Sequence, residues 1–273
     1  MSTHVRIPAV AGQFYPSKPQ LLAREVEQYS RPLAADAEPI RALGCMVPHA
    51  GYMYSGHVAG AVFGRLELPR RFIIMCPNHT GMGEPLAIMS AGKWATPLGE
   101  VPIDVELAST LKQHCPLLSD DEAAHAREHA LEVQLPFLQE LAPGFSFVPI
   151  TLGTSRYDAL VALGQAIGAT VAQAGEPVLI IASSDMNHYE SDQVTRIKDK
   201  RAVDRILALD PRGLYDTIME HHISMCGFGP AVAMLTAAKM RGATRAELIK
   251  YATSGDISGD RDMVVGYAGV VVS

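Results

Sequence analysis

The chain lacks a basic face. Its 23 lysines and arginines are outnumbered by 29 aspartates and glutamates, leaving a net charge of −6 and a pI near 5.9. The cations are also scattered, which excludes a nucleic-acid partner of the usual kind. Long hydrophobic runs are missing too. None approaches the roughly twenty residues that span a bilayer, so no membrane partner is expected. The N-terminus shows no basic flank followed by an apolar stretch, and no signal peptide is expected. Four cysteines (Cys45, Cys76, Cys115 and Cys226) fall in no paired spacing. They speak against a disulfide framework and for a reduced, cytoplasmic setting. No Pro/Gly/Ser-rich linker or charge run divides the sequence, so residues 1–273 are expected to form a single α/β domain. What is present is 48% apolar with a mean hydropathy of +0.11, the composition of a well-packed soluble protein.

Alternating strand and helix patterns predict a layered αβα fold. An extended lead-in over residues 1–20 precedes a helix from Gln20 to Tyr29. A strand then ends before His49, and a Gly-bracketed loop from His49 to Gly56 leads into a small-residue helix from His57 to Arg65. A second strand ends at Pro77, and short β segments follow near 85–102. Helices are expected over Asp104–His114, Tyr157–Ala174, 190–209 and 211–221, with Pro230 opening another. Leu131, Leu135, Leu138 and Ala142 recur at helical spacing within Arg127–Leu141, where Pro136 implies a kink or break. Further strands are expected over Phe145–Leu152, 177–183, 247–253 and 263–272.

Three of these strands stop at metal-capable residues: one at His49, one at Asn78-His79, and one at Asp185 and His188. Ligands of open α/β sheets gather beyond the carboxyl ends of the strands, so the three ends should converge. Neutral imidazole is the commonest metal ligand, and strand-held loops suit a preorganised site. Either histidine alone reads equally well as a strand-end side chain bonded to backbone; their parallel placement favours the site. His188 has a pKa type suited to proton transfer near neutrality, with Asp185 placed to orient it or to cap the next helix. Cys226 precedes Gly227-Phe228-Gly229-Pro230, where a helix start can stabilise a thiolate; on the residues alone it reads as a buried structural cysteine. Ser183-Ser184 lacks a nucleophile elbow, so hydrolase chemistry is set aside. His125-Ala126-Arg127-Glu128-His129 matches the inverted zinc-protease signature, but a protease would leave His49, His79 and His188 unexplained. Glu128, His129 and Glu132 fit a polar helix face toward the same crevice or toward solvent. Asp256, Asp260 and Asp262 miss the EF-hand spacing and read as an Asp/Gly turn. Tyr52 and Tyr54 flank the His49 loop, to shape a pocket or to pack.

The motifs Pro48-His49-Ala50-Gly51-Tyr52-x-Tyr54-Ser55-Gly56, Pro77-Asn78-His79 and Glu128-His129-x-x-Glu132-x-x-Leu135-Pro136-Phe137 stand in this order in the chain. They are followed by Ser183-Ser184-Asp185-x-x-His188-Tyr189 and Gly259-Asp260-x-x-x-Val264-Val265-Gly266-Tyr267. Together, from about residue 6 to the C-terminus, they resemble the Memo family, whose prokaryotic members are called AmmeMemoRadiSam system protein B. The resemblance implies a three-layer αβα sandwich around a mostly parallel or mixed sheet, like that of class III extradiol dioxygenases. It implies a mononuclear site of His49, His79 and Cys226, with Asp185 and His188 as catalytic neighbours and Tyr54 and His129 lining the substrate pocket. A thiolate where the dioxygenases use a carboxylate favours iron or copper over magnesium or calcium. Fe(II) is the expected ion, with Cu or Zn as alternatives, in a redox enzyme acting on a small catechol-like molecule. The alternative is a non-catalytic interaction or metal-handling protein working with radical-SAM and AMMECR-type partners. Animal relatives show Trp-Tyr near the N-terminus, where this chain has Phe14-Tyr15-Pro16, so their proposed phosphotyrosine binding is not carried over.

Overall fold

Strands that read as near-continuous apolar runs must be covered on both faces, and the runs at 44–47, 72–77, 147–150 and 178–182 have this character. The computed structural model describes residues 4–31 and 38–273. Among these, the strands are β1 (Val5–Arg6), β2 (Gly44–Val47), β3 (Arg71–Pro77), β4 (Leu86–Ile88), β5 (Lys93–Thr96), β6 (Gly99–Pro102), β7 (Ser119–Asp120), β8 (Ser146–Leu152), β9 (Val178–Ser183), β10 (His188–Glu190), β11 (Ala246–Thr253) and β12 (Val264–Val272). The helices are α1 (Pro19–Tyr29), α2 (Tyr52–Phe63), α3 (Val105–His114), α4 (Ala123–Ala126), α5 (Leu135–Leu141), α6 (Tyr157–Gln173), α7 (Asp192–Leu207), α8 (Pro211–Glu220), α9 (Phe228–Met240) and α10 (Gly255–Ser258).

The main sheet runs β10-β12-β2-β9-β3-β8-β4-β7, with β11 on β12. Its centre, β2-β9-β3-β8, is parallel throughout, and β12 and β4 flank it antiparallel. The sheet is therefore mixed, and β9, late in sequence, lies between the early strands β2 and β3. Side-chain alternation divides the core into two layers. Met46, Ile73, Met75, Val148, Ile150 and Ile180 pack under α6, α8 and α9. Cys45, Val47, Phe72, Ile74, Phe147, Leu179 and Ile181 pack on the other face with residues of α1, α2 and α5. The expected αβα sandwich is the one observed.

A second, three-stranded sheet, β1-β5-β6, sets Arg6 opposite Trp94. The Arg6 guanidinium lies 4.1 Å over the Trp94 ring. From there it reaches the segment that contains Glu128 and His129, donating to the carbonyls of His125 (2.9 Å) and Glu128 (2.7 Å) and pairing with the Glu132 carboxylate. Glu132 is completely buried and also accepts from the Ala9 and Val10 backbone and the Tyr15 hydroxyl. One ion pair thus ties the N-terminal arm to the middle of the chain.

Two expectations need correction. The stretch read as a loop up to Gly56 is helical from Tyr52, because Gly51 in extended geometry ends the loop as the N-cap. The stretch read as a helix over Arg127–Leu141 is an irregular turn at 127–131, a 3-10 turn over Glu132–Gln134 and then α5. Pro136 lies in the first turn of α5, where its missing N–H costs nothing, so it starts that helix and does not kink it. Glu128 and Glu132 are fully buried, which excludes the solvent-facing reading. No helix among the described residues is long and apolar enough to cross a membrane.

Candidate metal centre

His49, on the loop leaving β2, is only 2% exposed. Its backbone N–H donates to Asp185 Oδ1 at 2.8 Å, tying the end of β2 to the end of β9. Its Nδ1 lies 2.9 Å from Ser183 Oγ. That hydroxyl has one proton, and it is engaged with the Ala130 carbonyl at 2.6 Å. Ser183 Oγ must therefore accept from His49 Nδ1–H, and the lone pair of His49 sits on Nε2. Burial, then the neighbouring His79, His129 and His188, hold His49 well below the ordinary imidazole range. It is neutral, as a ligand must be.

His79 is set by a turn that Asn78 closes on itself. Asn78 Oδ1 accepts from Thr80 N–H, the Thr80 hydroxyl and Gly81 N–H, and its amide donates to the Met82 carbonyl. Behind the ring stands Glu128, completely buried. Its Oε2 accepts from His79 N–H at 2.6 Å, and its Oε1 from His79 Nδ1 at 2.9 Å and Ala130 N–H at 2.9 Å. Burial pushes the Glu128 carboxyl up, but these donors outweigh it and hold it below its usual range. Burial likewise lowers His79, and the Glu128 contact more than offsets that, raising it.

His129 completes the group. The His79 and His129 rings stack with centroids 4.8 Å apart, and His49 stands edge-on to both at 5.2 and 5.6 Å. One ligand nitrogen from each of His49, His79 and His129 lies within 4.8 Å of the other two, so this trio can hold a metal ion. His129 Nδ1 is 3.3 Å from Glu128 Oε1, and Phe14 packs on the ring at 4.7 Å. The residue set fits a cation: three imidazoles converge, and His49 and His79 each have Nδ1 hydrogen-bonded to an oxygen.

Cys226 approaches from the His49 side, Sγ 3.2 Å from His49 Nε2 and 3.6 Å from the Asp185 carbonyl. Burial, with the Asp185 charge, raises its thiol pKa. Gly227 makes this approach possible, because a Cβ there would fall 2.4 Å from both the Ser183 carbonyl oxygen and Ser184 Cβ. His188 opens β10, and its Nδ1–H donates to the Ser224 carbonyl at 2.9 Å. Ser224, not Asp185, therefore sets the His188 tautomer, with Nε2 left as base. Burial holds His188 below its ordinary value. Asp185 is instead braced under the His49 loop, and burial pushes its carboxyl up to about 7. Tyr54 packs with Val58, Ala252 and Tyr267.

His125 does not join His129 as an inverted zinc-protease pair. It is wholly buried, with Nδ1 2.9 Å from Thr151 Oγ1. Asp256 accepts from Thr253 N–H and pairs with Arg196 and Arg261, a turn closed by its own contacts. Sequence reasoning missed Ser224 altogether; it named Ser183 and placed Glu128 toward the crevice, but not their part in holding the His49 and His79 rings.

An αβα protein with a three-imidazole centre beyond the ends of its parallel strands is a class that comparison with known proteins narrows. The chain belongs to the family described as Memo-like protein, whose model matches residues 6–271. It is 41% identical over 273 residues to a MEMO1 family protein of Methanothermobacter thermautotrophicus, covering 97% of this chain and 99% of that one. It is 43% identical over 269 residues to one from Methanosarcina barkeri (98% and 100%), and 42% identical over 267 residues to one from Archaeoglobus fulgidus (98% and 99%). A solved structure of an uncharacterised Escherichia coli K12 protein superposes with a TM-score of 0.59 at 11% identity, covering 85% of this chain and all of that one. That likeness concerns the fold alone.

Proposed function

We propose that this chain is a mononuclear redox enzyme, dependent on non-haem iron or copper, that oxidises a small phenolic diol with dioxygen. The observation that supports it is the convergence of His49, His79 and His129 within 4.8 Å, with the Cys226 sulfur and the His188 imidazole alongside. His49 and His79 would hold the ion, with Cys226 as the third donor that the family resemblance implies and His129 as a competing one. Bound there, Fe(II) would supply Lewis acidity and open positions for small ligands.

The rest of the chemistry belongs to the side chains. His188 is kept neutral by burial, and its Nε2 takes the proton that a substrate hydroxyl releases. Ser224 holds that ring in the required tautomer. Asp185 fixes the His49 backbone, and the buried walls keep bulk water from His49. Both atoms of dioxygen enter the product, so no further reductant is consumed.

The test begins with anaerobic reconstitution and metal analysis, for which about one Fe(II) per chain is expected from a single site. Oxygen uptake is then measured against a catechol panel. His188→Ala should keep the metal and lose turnover by about 100-fold or more. Metal retained in the wild type with no turnover on any diol would move the reading to a metal-handling role beside radical-SAM and AMMECR-type proteins. A folded protein that takes up no metal would end both.

A further inference from the structure

One buried carboxylate is hydrogen-bonded behind one of the three imidazoles and lies close to a second. Glu128 Oε2 accepts from His79 N–H at 2.6 Å, while Oε1 accepts from His79 Nδ1 and Ala130 N–H, each at 2.9 Å. The same Oε1 lies 3.3 Å from His129 Nδ1. We propose that Glu128 is a positioning residue that presets His79 as its Nδ1–H tautomer, so that the Nε2 lone pair faces the ion position that His49 also faces. The inference deepens the metal-site reading and rests on it.

The chemistry is one-sided. An ionised carboxylate only accepts, so every nitrogen turned toward it must carry its proton there. A ring that is protonated at Nδ1 has its lone pair at Nε2, and a second partner behind a ligand histidine sets its orientation and basicity. The backbone of His79 and Ala130 holds the carboxylate in place. Arg6, which donates to the Glu128 carbonyl at 2.7 Å, fixes the main chain from behind. Ser183 sets the tautomer of His49 in the same way.

Glu128→Gln tests this with little change of shape. An amide presents N–H where a carboxylate presents oxygen, so it confronts either the His79 backbone N–H or the His79 and Ala130 donors. In the second orientation His79 Nδ1 becomes the acceptor, and its Nε2 gains the proton that blocks a metal. The ring nitrogens are read directly by nitrogen-15 NMR of metal-free wild type at alkaline pH. Protonation at Nδ1 of His79 is expected; an Nε2–H tautomer there would overturn the proposal without any variant. Zn²⁺ binding is then compared by competition with a chelator. Glu128→Gln should bind about 10- to 100-fold more weakly and show an altered His79 tautomer. A folded Glu128→Gln protein with the wild-type tautomer and affinity would also overturn it. Wild type that binds no metal yet shows the Nδ1–H tautomer at His79 would refute the metal reading and leave the positioning geometry standing.

Discussion

Replacing Arg6 by Met should strongly destabilise the protein and weaken the metal centre, although Arg6 touches none of the three imidazoles. Arg6 is 4% exposed and Glu132 is fully buried. Removing the guanidinium leaves a buried carboxylate without its counter-charge, a change that typically costs about 3–5 kcal/mol. The Ala9, Val10 and Tyr15 donors remain on Glu132, which places the expectation near the lower end of that range. The His125 and Glu128 carbonyls lose their Arg6 donors as well, at about 1 kcal/mol or more each. A total of about 5 kcal/mol is a large part of the roughly 5–15 kcal/mol that holds a typical domain together. Urea unfolding followed by circular dichroism measures it. Glu132→Gln and the double variant close a cycle whose coupling should be about 2 kcal/mol or more, because the two side chains form one network. A loss below about 1 kcal/mol for Arg6→Met, or an additive cycle, would refute the reasoning.

Gly227→Ala should displace Cys226, since the new methyl would meet Ser183 and Ser184 at 2.4 Å; a lower unfolding temperature and a weakened thiolate absorption in the Co²⁺-loaded protein are the readouts. His79 is raised above its ordinary value by Glu128 despite burial. Its ring must be neutral to ligate, so Zn²⁺ affinity should be full above that raised pKa and fall as pH drops through it, as calorimetry from about pH 8 to about pH 6 would show. In the metal-free protein the linkage runs the other way: the His79–Glu128 contribution is complete below the unfolded histidine pKa and is lost as pH rises through the folded one. Asp199 is a separate case. Burial pushes its carboxyl up to about 7 from 3.8, against donors from Tyr251 and Asn187. Folded protein then binds more protons than unfolded protein between those values, so stability should decline as pH rises through that window. Asp199→Asn should flatten that slope, as urea midpoints across the window would show.

The strand ends were legible because apolar runs stop abruptly at polar residues; His49 and His79 stand just past such stops, and His188 lies beyond the stop of β9, at the start of β10. The place of His129 among the rings was not. Leu131, Leu135 and Leu138 do keep a helical interval, but residues 127–131 form a turn, held open by Arg6 on the carbonyls of His125 and Glu128. A contact between residues 6 and 132 leaves no periodic trace in a sequence. The part of Ser224 was hidden for a related reason: it acts through a backbone carbonyl, which every residue possesses. Gly51 illustrates the opposite failure, since a glycine that seemed to prolong a loop in fact ends it.

Because β9 fills the slot between β2 and β3, the nascent chain spends most of its synthesis with that slot vacant. Until residue 183 has left the ribosome, two apolar strands each present an open backbone edge, the kind of surface that invites wrong pairing. His49 and His79 are then available, but Ser183 is not there to turn His49 the right way. A metal held by the finished geometry would therefore be taken up late, with the closing of the sheet and not with the emergence of the ligands.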